Sequence, residues 1–231
     1  MDSFNFADFI YSCTQGFTPV LDTKFKKKDY VKIDLSMANK ELNDLEIPSA
    51  LEFKKYIDDY LSKKNGKIAF GGYNEKRNLY QHSIIFNNES TPSPRNIHIS
   101  TDFWCDAGTA VLAPLEGTIH SLNNNDGFGN YGPTIILEHI IDDKTFYTLY
   151  GHLTRKCIKN LGFGQIVEAG DKIAELGSSK VNGGYAPHLH FQIIDDLQGN
   201  SGDYPGVVAK ENLDFYLKNC PDPNLLLKIE V

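Results

Sequence analysis

The sequence predicts a mainly β protein: an antiparallel β-sandwich or barrel-like core with an N-terminal extension that contains a helix. Two observations carry this. From about residue 80 the chain breaks into short runs suited to strands, separated by clusters of Gly, Pro, Asn and Asp. No helices intervene between those runs, so the alternation that builds a parallel sheet is missing. The preceding 79 residues differ in texture and hold one segment with helical spacing and a capping signal.

Residues 1–79 form the extension. Within it Ser49 is followed three positions on by Glu52, the capping-box pattern. Phe53, Ile57, Tyr60 and Leu61 follow at helical spacing and Asn65-Gly66 ends the run, which predicts a helix near 50–63. Residues 80–197 form the β domain, whose strand-like runs are HSIIF, NIHIS, AVLAP, GTIHSL, TIILEHII, TFYTLYGHL, QIVEAG, KIAELG and HLHFQII. GFGNYG at 127–132 matches G-x-G-x-x-G, but Pro133 and the strand-like TIILEH follow where a dinucleotide site needs a helix. It reads as a turn between strands. Residues 198–231 form a tail expected to pack on the core, with a loop at its start and a short helix near 211–218.

Thirty acidic against 23 basic side chains, a net charge of −7, argue against nucleic acid or an anionic membrane as the main partner. The basic run KFKKK at 24–28 sits among acidic neighbours and reads as a solvated face. Cys13, Cys105, Cys157 and Cys220 are widely spaced and form no C-x-x-C pair, which fits free thiols in a reducing compartment. The start, MDSFNFADFI, has neither a basic n-region nor a long apolar h-region, and no run of about 18 apolar residues offers a membrane span. As the sequence stands the expectation is cytoplasmic, or extracytoplasmic if an export signal has been removed. The sequon at Asn88 has meaning only on secretion.

The chemistry centres on GGYAPHLHFQI, where His188 and His190 are separated by one leucine. In an extended strand successive side chains alternate faces, so the two imidazoles share one face and Leu189 and Phe191 the other. Side by side, they suit a metal or a proton-transfer site; the plainer reading is two surface histidines on a half-exposed strand. His98 and Asp102 in RNIHISTDF form an H-x-x-x-D spacing. On a straight strand that spacing covers roughly 13 Å, too far for one ion, so the chain must bend between them, with Ser100-Thr101 a plausible place. His152 follows a Gly at the apparent end of the TFYTLY strand. EHIID at 138–142 lacks the second His of a helical H-E-x-x-H site, so Glu138 and His139 read as structural.

R-x-x-H-x-x-x-D at 95–102, AGTAVLAPLEGTI at 107–119, YGHL at 150–153, GQIVEAGDKIAELGSS at 164–179 and PHLHFQI at 187–193 together resemble the lysostaphin-type (LytM-like) zinc metallopeptidases in order and rough spacing. The resemblance covers about residues 95–195. It implies one Zn2+ per chain held by His98, Asp102 and His190, with His152 and His188 as the catalytic pair. One departure is visible: the family usually has Gly two residues after the first His, and here that residue is Ser100. The implied activity is zinc-dependent hydrolysis of a peptide bond in peptidoglycan-derived or similar small peptides, with a peptide or muropeptide as substrate partner. Two alternatives stand beside it. One is an inactive relative acting as a binding module. The other is a biotinyl- or lipoyl-like carrier domain modified at Lys180, which leaves the histidines and Asp102 unexplained. Residues 1–79 are long enough to wall off part of the groove; the sequence does not give the oligomeric state.

Overall fold

The computed structural model describes residues 5–43, 49–78 and 93–230. HSIIF and Asn88 therefore lie outside the described residues. Ahead of the β region come α1 (Phe6–Ser12), β1 (Tyr30–Lys32), α2 (Lys40–Asn43), α3 (Ala50–Lys64), β2 (Ile68–Gly71) and β3 (Glu75–Lys76). Then follow β4 (Ile97–His98), β5 (Thr101–Trp104), β6 (Ala110–Leu112), β7 (Gly117–Asn125), β8 (Gly132–Ile141) and β9 (Lys144–Gly151). The chain ends with α4 (Cys157–Asn160), β10 (Ile166–Val167), β11 (Lys172–Glu175), β12 (His188–Ile194), β13 (Val207–Val208), α5 (Leu213–Asn219) and α6 (Asn224–Leu227).

α3 forms where the capping box places it. Ser49 Oγ accepts from the Glu52 N–H and the Glu52 carboxylate accepts from the Ser49 N–H, while Asn65 closes the helix in the left-handed region. Phe53, Ile57 and Leu61 are its buried stripe. The C-terminal helix falls at 213–219, after a 3₁₀ turn at Lys210–Asn212.

Eight strands form the main sheet in the order β1-β2-β5-β12-β9-β8-β7-β10. Its pairs are antiparallel except β1 with β2, which run parallel. The fold is mainly β, and among the described residues the sheet stays open rather than closing into a barrel. β6 with β11, and β3-β4-β13, form two smaller sheets. GFGNYG spans the connection from β7 to β8, as a turn.

Alternation along β12 sorts the two faces of the sheet. Leu189, Phe191 and Ile193 enter the largest core cluster, with Phe103, Ile135, Leu137, Phe146 and Tyr150 from neighbouring strands. α1 and α6 cover that face with Phe6, Ile10, Leu226 and Leu227. His188, His190 and Gln192 point to the opposite face, and all three are buried. This is why β12 carries histidines without any exposed position. Among the described residues no helix is long and apolar enough to cross a membrane. The four cysteines are unpaired.

Candidate functional site

Strand register brings the site together. On β12, His190 lies opposite Asp102 of β5 on one side and Gly151 of β9 on the other, and His188 lies opposite Trp104. His98 arrives differently. β4 belongs to the three-stranded sheet and pairs with β3 and β13, whereas β5 belongs to the main sheet. The chain changes sheets at Ile99–Ser100, and that bend folds His98 back over Asp102. Ser100 makes the bend without entering the left-handed region, so the missing glycine costs no backbone strain there.

Three atoms converge. His98 Nε2 stands 3.2 Å from His190 Nδ1, His98 Nε2 is 3.3 Å from Asp102 Oδ1, and His190 Nδ1 is 3.4 Å from that oxygen. Atoms bound at about 2.05 Å to a tetrahedral ion stand about 3.3 Å apart, so the triangle has the dimensions of one face of a zinc tetrahedron. Among the described residues these three form the cluster able to hold a metal ion.

The partners outside the triangle decide where the protons are. His98 Nδ1 contacts the Gly72 carbonyl at 2.8 Å, and a carbonyl only accepts, so Nδ1 carries the hydrogen and Nε2 presents a lone pair. His190 Nε2 faces Gln192 Oε1 at 3.1 Å, while the Gln192 amide NH2 donates to the Pro205 carbonyl and to Cys220 Sγ. That fixes Gln192 as the acceptor and leaves Nδ1 of His190 with a lone pair. Asp102 Oδ1 is buried with no hydrogen-bond partner. With the ring hydrogens on the outer nitrogens, three lone-pair donors meet, an arrangement that suits a cation.

Charge reinforces this. Burial, with Arg77 beside it, lowers His98 to about 4 despite Asp102, so the ring is neutral near pH 7. Burial alone would raise the Asp102 carboxyl, but the charges of His98 and Arg77 hold it well below the usual range. Because His98 is neutral at that pH, Arg77 is the group that keeps Asp102 ionised; Nη1 donates to Oδ2 at 2.6 Å. Glu75 in turn accepts from Arg77 Nε.

His152 and His188 stand beside the triangle with ring centroids 4.2 Å apart. His188 Nδ1 donates to the Ala186 carbonyl and His152 Nδ1 to the Asn182 carbonyl, each at 2.8 Å, so both rings keep Nε2 as a base. Burial lowers His188 to about 4. Burial and the neighbouring His188 and His190 carry His152 well below its ordinary value. Trp104 stacks on His188 with centroids 4.0 Å apart.

All five residues that the sequence singled out therefore sit in one place, each no more than 5% exposed. The sequence reading missed their supports. Gln192 had a signal, since it lies two residues after His190 on the same strand face. Tyr131, whose hydroxyl lies 3.2 Å from His190 Nε2 and donates to the Tyr204 carbonyl, sits inside the stretch read only as a turn. Arg77 and Gly72 lie in the N-terminal region and carried no signal. His139 is structural: its nitrogens meet the Glu116 carbonyl and Thr148 Oγ1, both at 2.7 Å. Lys180 is exposed and stands in a turn.

Residues 96–203 match the sequence profile of peptidase family M23. A Haemophilus influenzae protein described as an uncharacterized metalloprotease is 33% identical over 95 residues, 41% of this chain and 18% of that protein. An L-Ala–D-Glu endopeptidase of Bacillus subtilis is 29% identical over 132 residues, 54% of this chain and 38% of the relative. The chain thus spans less than two-fifths of the length of either curated relative. Among solved structures, the catalytic domain of lysostaphin from Staphylococcus simulans aligns at 30% identity and a TM-score of 0.37, over 52% of this chain and 80% of that one. A zinc-containing peptidase from Vibrio cholerae aligns at 28% identity and a TM-score of 0.36, over 45% of this chain and 29% of that one.

Proposed function

Since residues 96–203 form a domain of peptidase family M23, of lysostaphin type, we propose that the chain is a zinc-dependent metalloendopeptidase acting on peptidoglycan-derived or similar small peptides. The observation that carries this reading is the triangle of His98 Nε2, His190 Nδ1 and Asp102 Oδ1, with edges of 3.2–3.4 Å and the ring hydrogens placed on the outer nitrogens. His98, Asp102 and His190 are the metal ligands in this reading, one Zn2+ per chain. Two neutral imidazoles and one carboxylate would leave zinc net positive, and the bound ion would supply a Lewis acid and a water whose pKa falls towards about 7.

The remaining roles belong to the chain's own side chains. His188 and His152 are the catalytic residues. Each is held neutral by burial, with Nδ1–H committed to a carbonyl and Nε2 open to accept a proton from the attacking water. The same commitment sharpens the part of His152. It accepts a hydrogen bond from water first, and donates to a developing oxyanion only after Nε2 has taken up a proton. Arg77 keeps Asp102 ionised, and Gln192 and the Gly72 carbonyl fix the rotation and tautomer of the two ligand imidazoles.

The described activity of the Bacillus subtilis relative suggests the first bond to try, the amide between L-Ala and D-Glu in a soluble muropeptide. The purified protein is incubated with muropeptides, with and without a zinc chelator, and the products are read by mass spectrometry. Hydrolysis of one amide bond that stops with chelator is the expected result. Intact muropeptides, or cleavage indifferent to chelator, would overturn the proposal and favour the binding-module alternative.

A further inference from the structure

Ser100 is wholly buried and turns its hydroxyl onto the metal-binding triangle. Its Oγ lies 2.8 Å from His98 Nε2 and 3.0 Å from His190 Nδ1. Among the described residues those two nitrogens are the hydroxyl's hydrogen-bond partners. Both nitrogens present lone pairs, because the outer hydrogens of the rings are taken by Gly72 and Gln192. One hydroxyl proton serves only one of them. The other approach sets oxygen lone pair against nitrogen lone pair, a contact that a proton on the ring or a metal ion relieves.

The distances extend the triangle. Two of the edges that Oγ adds, 2.8 and 3.0 Å, fall slightly below the 3.2–3.4 Å edges of the three proposed ligands. A donor about 2 Å from the same ion stands at such separations from its fellow ligands. Once a metal takes both imidazole lone pairs, the hydroxyl loses the acceptors it has, and its own lone pairs face the cation. A buried oxygen in that setting is satisfied by the ion or not at all.

We propose that Ser100 Oγ is a fourth protein donor to the metal, so that the site offers two nitrogens and two oxygens rather than three ligands. The exchangeable water position then completes five-coordination. The proposal rests on the metal-binding reading of His98, Asp102 and His190, and adds a residue that the resemblance does not supply, since the family usually has Gly at that position.

The test uses full-length protein loaded with cobalt or zinc. Wild-type protein with one cobalt per chain should show the weaker visible bands of five-coordination. Ser100→Gly and Ser100→Ala should intensify those bands towards the four-coordinate form, and should weaken zinc binding roughly ten-fold in competition with a chelating dye. Ser100→Cys with cobalt should gain a near-ultraviolet thiolate-to-cobalt charge-transfer band, which requires a bond from position 100. Circular dichroism of the metal-free variants checks that each has folded. Unchanged spectra and zinc affinity in the Gly and Ala variants, with no charge-transfer band in the Cys variant, overturn the proposal. In that event one metal per chain in wild type, lost in His190→Ala, leaves the peptidase reading standing. A wild type that binds neither ion overturns both.

Discussion

His152 holds a left-handed backbone, φ 64°, which a side chain with a Cβ rarely adopts. The residue before it explains how. A Cβ on Gly151 would come within 2.7 Å of the Tyr131 ring, so glycine lets that ring lie against the end of β9, while the 3.4 Å to His190 Cβ on β12 is ordinary contact. The His152 N–H then donates to the Tyr131 carbonyl, and the imidazole lands against His188. Neither ring belongs to the triangle of proposed ligands. We therefore expect His152→Ala and His188→Ala each to keep bound metal and lose roughly 10²–10⁴-fold in activity, the range for a removed acid–base group. Metal assay beside kinetics checks this; an emptied site in either variant would mean that a ligand had been mistaken for a base. The pairing of His188 with His190 on one face was legible from strand alternation alone. Gln192 obeys the same two-residue rule, but an amide next to histidines announces no chemistry until its partner atoms are known.

Helix α3 reaches the site through a chain of rings. Phe53 meets Trp104 edge-on with centroids 5.0 Å apart, and Trp104 stacks on His188. Trp104 is the chain's single tryptophan, so its fluorescence reports on this wall of the site. Phe53→Ala should cost about 3 kcal/mol or more in denaturant unfolding and shift the emission to the red as water reaches the indole; an unchanged spectrum would detach α3 from the site. Strands β7, β8 and β9 offer a separate test through His139, fully buried and lowered to about 4 by burial, against an ordinary value of 6.5. The folded state binds this proton less readily than the unfolded chain. Stability is therefore complete above about pH 6.5 and falls as pH drops towards 4, by roughly 3 kcal/mol for this one group. His139→Asn should make the fall in Tm between pH 6.5 and 4.5 shallower, and an unaltered slope would refute the assignment. α3 and the runs that became β7, β8, β9 and β12 were legible because each is long enough to show a period. β1 and β2, of three and four residues, pair in parallel across the intervening α2 and α3, and no local pattern announces such a contact.

The N-terminal 79 residues were read from texture as an extension, yet the sheet continues through them. β2 pairs with β5, the strand that carries Asp102, and Arg77 and the Gly72 carbonyl hold Asp102 and His98. A chain starting at residue 80 would expose the β5 edge and remove both supports. It should lose metal affinity and cooperative unfolding together, a stronger effect than the opening of a gate. A truncated chain that binds zinc and digests cell-wall sacculi like the full-length protein would contradict this. The contribution of this region was hidden in the sequence because Arg77 lies 25 residues from Asp102 and neither predicts the other. In the proposed site three buried lone-pair donors hold one zinc ion while their neighbours move protons. Elemental analysis of zinc per chain in wild type, His190→Ala and His188→Ala tests it most directly. The expected values are about one, near zero and about one; full zinc in His190→Ala would rule out His190 as a ligand.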